Sequence, residues 1–216
     1  MATTRSERQD QPYNPCAGTI LRVVEAPRRR MLTRADGQAY WRRRHVSEMK
    51  GKRVRPTPAE EIRKSFVNCS KGEAKKLTLP AGLDSQDWAA TDFLGWVDPR
   101  AVNNAYLVLP RGEEVVGVVL RANNPPSSAL RSSTCAFCLT THMQSDVGLF
   151  AAPKAGAAGR RGNTVGTYVC ADLACSAYVR RKRRPSAPQP AETIGDDERI
   201  ARMLVNINQF VAKVLS

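Results

Sequence analysis

The stretch that decides the fold is Cys135-Ala136-Phe137-Cys138, followed 31 residues later (139–169) by Cys170-Ala171-Asp172-Leu173-Ala174-Cys175. The spacing is C-x2-C, a long insert, then C-x4-C. A C-x2-C turn lets two thiolates converge on one ion while backbone N–H groups stabilise the sulfurs, and zinc favours four such ligands in a tetrahedron. Four buried free thiols in a small β core are the bland alternative. Two paired motifs in a reducing compartment favour zinc. The metal ligands are therefore predicted as Cys135, Cys138, Cys170 and Cys175, holding one structural Zn2+. With four cysteines bound no coordination position stays open for an activated water, so the zinc is not expected to be catalytic.

The flanks supply the elements around these ligands. Val147–Ala152 and Thr164–Val169 read as a pair of strands, and Cys170 closes the second. Cys175 falls in the first turn of a helix predicted over Leu173–Arg184. A knuckle, a hairpin and a ligand-bearing helix make a treble-clef arrangement. Between the strands, the small-residue run Lys154–Gly162 reads as a mobile basic loop. Upstream, Ala105–Leu109 and Val115–Arg121 are apolar, β-branched runs joined by Pro110-Arg111-Gly112-Glu113, the signature of a β-hairpin.

Order is expected to begin at Thr57-Pro58-Ala59-Glu60, read as a capping box opening a helix with Ile62, Phe66 and Cys69 on one face and Gly72 near its end. Asp84–Pro99, with Trp88, Phe93 and Trp96, reads as an ordered loop or short helix over the core. Asn123–Ser128 is a hard break. Asp196 opens a last helix with Ile200, Met203, Leu204, Ile207, Phe210, Val211 and Val214 in one stripe and acids at its positive end. The fold class is α+β: a small sheet with flanking helices and a zinc finger. The predicted organisation is a disordered basic extension (1–56), an α/β domain with the finger (57–184), a linker (185–192) and a packed amphipathic helix (193–216).

The 216 residues carry 34 Lys+Arg and 20 Asp+Glu, a net of +14. Residues 1–56 hold 14 and 5 of these, a net of +9, so the remainder is only +5. The basicity belongs mostly to an unpatterned stretch with Arg28-Arg29-Arg30 and Arg42-Arg43-Arg44, and Met1 and Met49 are both candidate starts. No run approaches the roughly twenty apolar residues of a membrane helix. The chain is expected to be cytoplasmic, with its six cysteines as thiols or ligands. No phosphate-binding glycine loop, nucleophile elbow or deaminase signature is present, so no enzyme and no small-molecule substrate are expected.

Cys16 reads as an exposed bystander and Cys69 as a small core residue. His142, four residues after Cys138, is expected as an exposed polar residue of the knuckle loop, with replacement of a cysteine ligand as the alternative. The run Arg180-Arg181-Lys182-Arg183-Arg184 serves either to complement a helix dipole or to contact phosphate or an acidic protein. With Arg160 and Arg161 in the basic loop, it completes the candidate partner-binding set.

Taken together, Glu61–Ala74, Asp92-Phe93-Leu94-Gly95-Trp96, the paired cysteines with Asn163-Thr164-Val165-Gly166-Thr167-Tyr168-Val169-Cys170 between them, and the amphipathic C-terminal helix resemble the FBP-type C-terminal treble-clef zinc-finger domain. That domain is shared with FusB-type fusidic-acid-resistance proteins, which bind elongation factor G. The resemblance covers roughly residues 57–215. It implies a zinc-stabilised α/β domain that docks on elongation factor G and eases its release from the ribosome. Resistance proteins of this type place a helical bundle before the zinc domain, where this chain has its basic 56 residues. The alternative is a ribosome- or RNA-binding module, in which the same cations meet phosphate and Tyr168 or Tyr178 stacks on bases.

Overall fold

The computed structural model describes residues 54–112, 114–123 and 131–216. Its centre is a five-stranded antiparallel sheet, built from β1 (Leu94–Val97), β2 (Asn104–Arg111), β3 (Glu114–Asn123), β6 (Val147–Pro153) and β7 (Thr164–Cys170), in that order. A two-stranded hairpin, β4 (Ser132–Thr134) with β5 (Thr141–Met143), is inserted between β3 and β6. The two hairpins read from the sequence are both present, each longer by one or two residues at its ends. Most of the unpatterned extension lies outside the described residues, as do Cys16 and the NPPSS portion of the predicted break. Val54, within the stretch read as extension, is buried and donates its N–H to the Thr91 carbonyl.

Side-chain alternation splits the interior in two. One face of the sheet turns Leu107, Leu109, Val118, Leu120, Phe150 and Val169 toward the long helix α5 (Asp196–Leu215), which buries Met203, Leu204, Ile207, Phe210, Val211 and Val214. The predicted stripe is the packed face, and Phe210 meets Phe137 edge-on at 5.6 Å between ring centroids. Among the described residues, the opposite face is covered only over β1–β3, where Leu94, Trp96, Tyr106, Val108, Val115 and Val119 pack on Ile62, Ala74 and Leu77.

The helix predicted from Thr57 is two short helices instead. They are α1 (Ala59–Lys64) and α2 (Lys71–Lys76). Thr57 caps nothing: its hydroxyl donates to Arg55 O. The capping box belongs to Ser70 and Glu73, at the start of α2. Ile62, Phe66 and Cys69 therefore do not share one helical face. Between the helices, Ser65–Val67 lies beside β3, with Gly117 N–H bonded to Ser65 O at 2.9 Å and Val67 N–H to Gly117 O at 3.0 Å. Gly117 permits that approach, because a Cβ there would stand 2.6 Å from Ser65 Oγ. A strand pairing worth two backbone hydrogen bonds has displaced helical continuation.

The next residue along completes the sheet by an unusual route. β3 and β6 pair only over Arg121↔Ala151, Ala122↔Phe150 and Asn123↔Leu149. Where the ladder would continue to Val119 and Pro153, the Asn68 amide stands in. Its Nδ2 donates to Val119 O and Pro153 O, both at 2.9 Å, and its Oδ1 accepts Val119 N–H at 2.8 Å.

Two other expectations change. Lys154–Gly162 is not a loose loop: it contains the turn of helix α3 (Gly156–Arg160), tied by Ala155 N–H to Val214 O at 2.7 Å. The helix predicted over Leu173–Arg184 shrinks to α4 (Cys175–Val179), since Leu173 and Arg181 both take left-handed φ values of 54° and 55°. Asp84–Pro99 resolves into two 3-10 turns, Leu83–Ser85 and Trp88–Ala90, followed by edge strand β1.

Candidate metal centre

The four predicted cysteines converge from separate elements. Cys135 and Cys138 flank the turn after β4, Cys170 ends β7 and Cys175 opens α4; all four are buried. Cys135 Sγ lies 3.7 Å from Cys175 Sγ, and Cys138 Sγ lies 3.6 Å from Cys170 Sγ. All four sulfurs fall within 4.8 Å of one another. Disulfides require about 2.05 Å. A tetrahedron with metal–sulfur bonds of about 2.3 Å has S···S edges of about 3.8 Å, which these spacings match.

The backbone is bent to make this convergence. Leu139 and Leu173, each just beyond or inside a ligand pair, adopt φ values of 59° and 54°. A non-glycine residue in that region costs about 1–2 kcal/mol. Each is held in place by a return hydrogen bond, Leu139 N–H to Cys135 O and Leu173 N–H to Cys170 O, both 2.9 Å. Leu173 also seats against β1, where a Cβ on Gly95 would lie 2.8 Å from its own. The second ligand turn is thus keyed into the sheet.

Packed together, the thiols perturb one another. Hydrogen bonds from Cys135 first, then from Cys170 and Cys175, hold the Cys138 thiol far below its ordinary value. Contacts with Cys135 and Cys138 push Cys170 and Cys175 up. Four adjacent anions are tolerable only around a cation, and binding one releases the remaining protons. The donor set is soft, closed and four-fold, which suits zinc held structurally.

His142 is not the exposed loop residue expected of it. It is buried in β5, with Nε2 at 3.5 Å from Cys170 Sγ and its ring edge-on to Tyr178 at 4.6 Å. Hydropathy points the other way along this strand. Thr140 and His142 are buried while Leu139 is exposed and Met143 half-buried, so no apolar alternation marks the histidine.

The basic run splits up in the structure. Arg180 forms a buried bidentate pair with Asp92, one bond being Nη2 to Oδ1 at 2.7 Å. Arg181 pairs with Asp196 at 3.4 Å, Lys182 with Asp87 at 3.1 Å and Arg183 with Asp172 at 3.0 Å. Arg184 is exposed and has no acidic partner among the described residues. Tyr178 is buried; its hydroxyl donates to Asp172 Oδ2 at 2.8 Å, with Arg183 over its ring. Burial, then that hydrogen bond, push its phenol pKa up. It is no platform for a base. Arg160 and Arg161 are exposed at the β6–β7 connection, and Tyr168 is 54% exposed on β7.

A knuckle, a hairpin and a helix delivering four thiolates to one point define a treble-clef zinc finger. Residues 61–214 match the family model described as FBP C-terminal treble-clef zinc-finger, and the chain belongs to that family. No curated protein and no solved structure matches it. Among the described residues no helix is long and apolar enough to cross a membrane.

Proposed function

We propose that the protein binds elongation factor G through its zinc-finger domain, eases release of the factor from the ribosome, and performs no catalysis, the zinc serving to hold the docking surface together. The observation that carries this reading is the face of β6 and β7 that no described element covers. On β6 and β7, the pairs Leu149↔Tyr168, Ala151↔Gly166 and Pro153↔Thr164 share one face. The layer of α1 and α2 that covers β1–β3 does not extend over them. Arg160 and Arg161 lie at the far end of that strip, in the connection from Pro153 to Thr164. An aromatic anchor, a short apolar strip and two arginines without an acidic partner among the described residues suit a protein surface with an acidic rim.

An RNA track is less well supported by the same residues. Four cations of the 180–184 run are engaged with acids of the chain, and Tyr178 is buried, which leaves Tyr168 as the one strongly exposed aromatic among the described residues and Arg184 as the one cation of that run without an acidic partner there. The test is titration of the RNA-free, zinc-loaded protein with purified elongation factor G and, separately, with ribosomal RNA at two ionic strengths. Tyr168→Ala, and Arg160→Glu with Arg161→Glu, are expected to weaken factor binding tenfold or more with little change in stability. Tight, steeply salt-dependent binding to RNA with none to the factor would overturn the reading.

A further inference from the structure

Four thiolates around one dication leave two negative charges in a site closed to water. Such charge is eased by N–H···S hydrogen bonds. The Cys170 N–H points at Cys135 Sγ from 3.4 Å. Cys170 Sγ itself has Cys138 Sγ and His142 Nε2 as its polar neighbours. His142 reaches it from a fixed position, the middle of β5 opposite Ser133, with the Tyr178 ring against its side. Its other nitrogen, Nδ1, is buried and has no hydrogen-bond partner among the described residues.

A neutral imidazole carries its proton on one nitrogen only. On Nδ1, the proton would orphan a buried donor and aim the Nε2 lone pair at a thiolate. On Nε2, it makes a charge-assisted hydrogen bond and leaves only an acceptor unused. We propose that His142 is a positioning residue for the zinc site, holding its proton on Nε2 and donating it to the Cys170 thiolate, so that zinc is retained and that sulfur is shielded from electrophiles.

The tautomer is measurable on the zinc-loaded full chain by long-range proton–nitrogen correlation of the imidazoles. A protonated Nε2 with a bare Nδ1 is expected for His142, and a proton on Nδ1 overturns the proposal whatever the variants do. His142→Phe keeps a ring against Tyr178 but removes the donor. It should pass zinc to a colorimetric chelator about 10–100-fold faster than the parent. Iodoacetamide labelling read by peptide mass should rise first at Cys170. His142→Gln offers an amide N–H near the Nε2 position and should restore slow release. Equal release from the parent and the Phe variant, or a Gln variant as fast as Phe, would assign His142 to packing alone.

Discussion

Removal of the Arg180 side chain is expected to be costly out of proportion to the other members of its run. The Asp92 side chain is 3% exposed and that of Arg180 13%. Arg180 also donates to Ser176 O at 3.3 Å, and Asp92 N–H bonds to Ser176 Oγ at 3.3 Å, so α4 and the segment entering β1 are joined through this one pair. Arg180→Ala strands a buried carboxylate, for which about 3–5 kcal/mol is the expected penalty. Lys182→Ala breaks an exposed pair with Asp87 and should cost about 0–1 kcal/mol. Urea unfolding at fixed free zinc, followed by circular dichroism, gives both numbers with metal linkage held constant. A double variant, Asp92→Leu with Arg180→Met, removes both charges and should recover much of the loss, since apolar replacement of a buried pair is often neutral. The reasoning fails if Arg180→Ala costs no more than Lys182→Ala, or if the double variant loses the sum of its singles.

Chelation of the purified protein should yield one zinc per chain by elemental analysis and unfold the cysteine-bearing half, with Cys138→Ser failing to fold as soluble protein; unchanged circular dichroism after zinc removal would exclude a structural role. Phe210→Ala should cost about 3 kcal/mol or more by denaturant unfolding, because the ring is buried against Phe137. Asp98 is a buried carboxylate: burial opposes its charge, but hydrogen bonds from Arg100 N–H, Tyr106 O–H and Thr78 outweigh it and hold its pKa low. Its contribution is therefore full above the unfolded carboxylate value near 4 and is lost as pH falls through the lower folded value. Asp98→Asn should flatten that acid limb in a pH series of melting curves; an unchanged limb would show that other groups carry it.

What could be read in the chain was what its neighbours in sequence determine. The β2–β3 and β6–β7 hairpins follow from β-branched runs and turn residues, the α5 stripe from its period, and the ligands from two short spacings. The failures are long-range. Ser65–Val67 leaves the helix for Gly117, some fifty residues away, and no local propensity reports that. The basic run was readable only as a dipole complement or a partner contact, because the true partner of Arg180, Asp92, lies 88 positions earlier. His142 stands in a strand whose buried phase is the more polar one, so burial there is set by Tyr178 and the cysteines rather than by hydropathy.

The Asn68 insertion makes part of the sheet's cohesion depend on a single amide side chain rather than on a backbone ladder. Val119 N–H has a carboxamide oxygen as its acceptor, 51 residues away along the chain. Its proton can exchange with solvent when Asn68 withdraws, without any strand unpairing and without disturbing the cysteines. In native-state hydrogen exchange, Val119 should then open on its own at low denaturant, ahead of Leu107 or Val118 on the same strands. The seam between β3 and β6 is where this sheet can part into a three-stranded meander under α1 and α2 and a hairpin carrying the metal ligand Cys170.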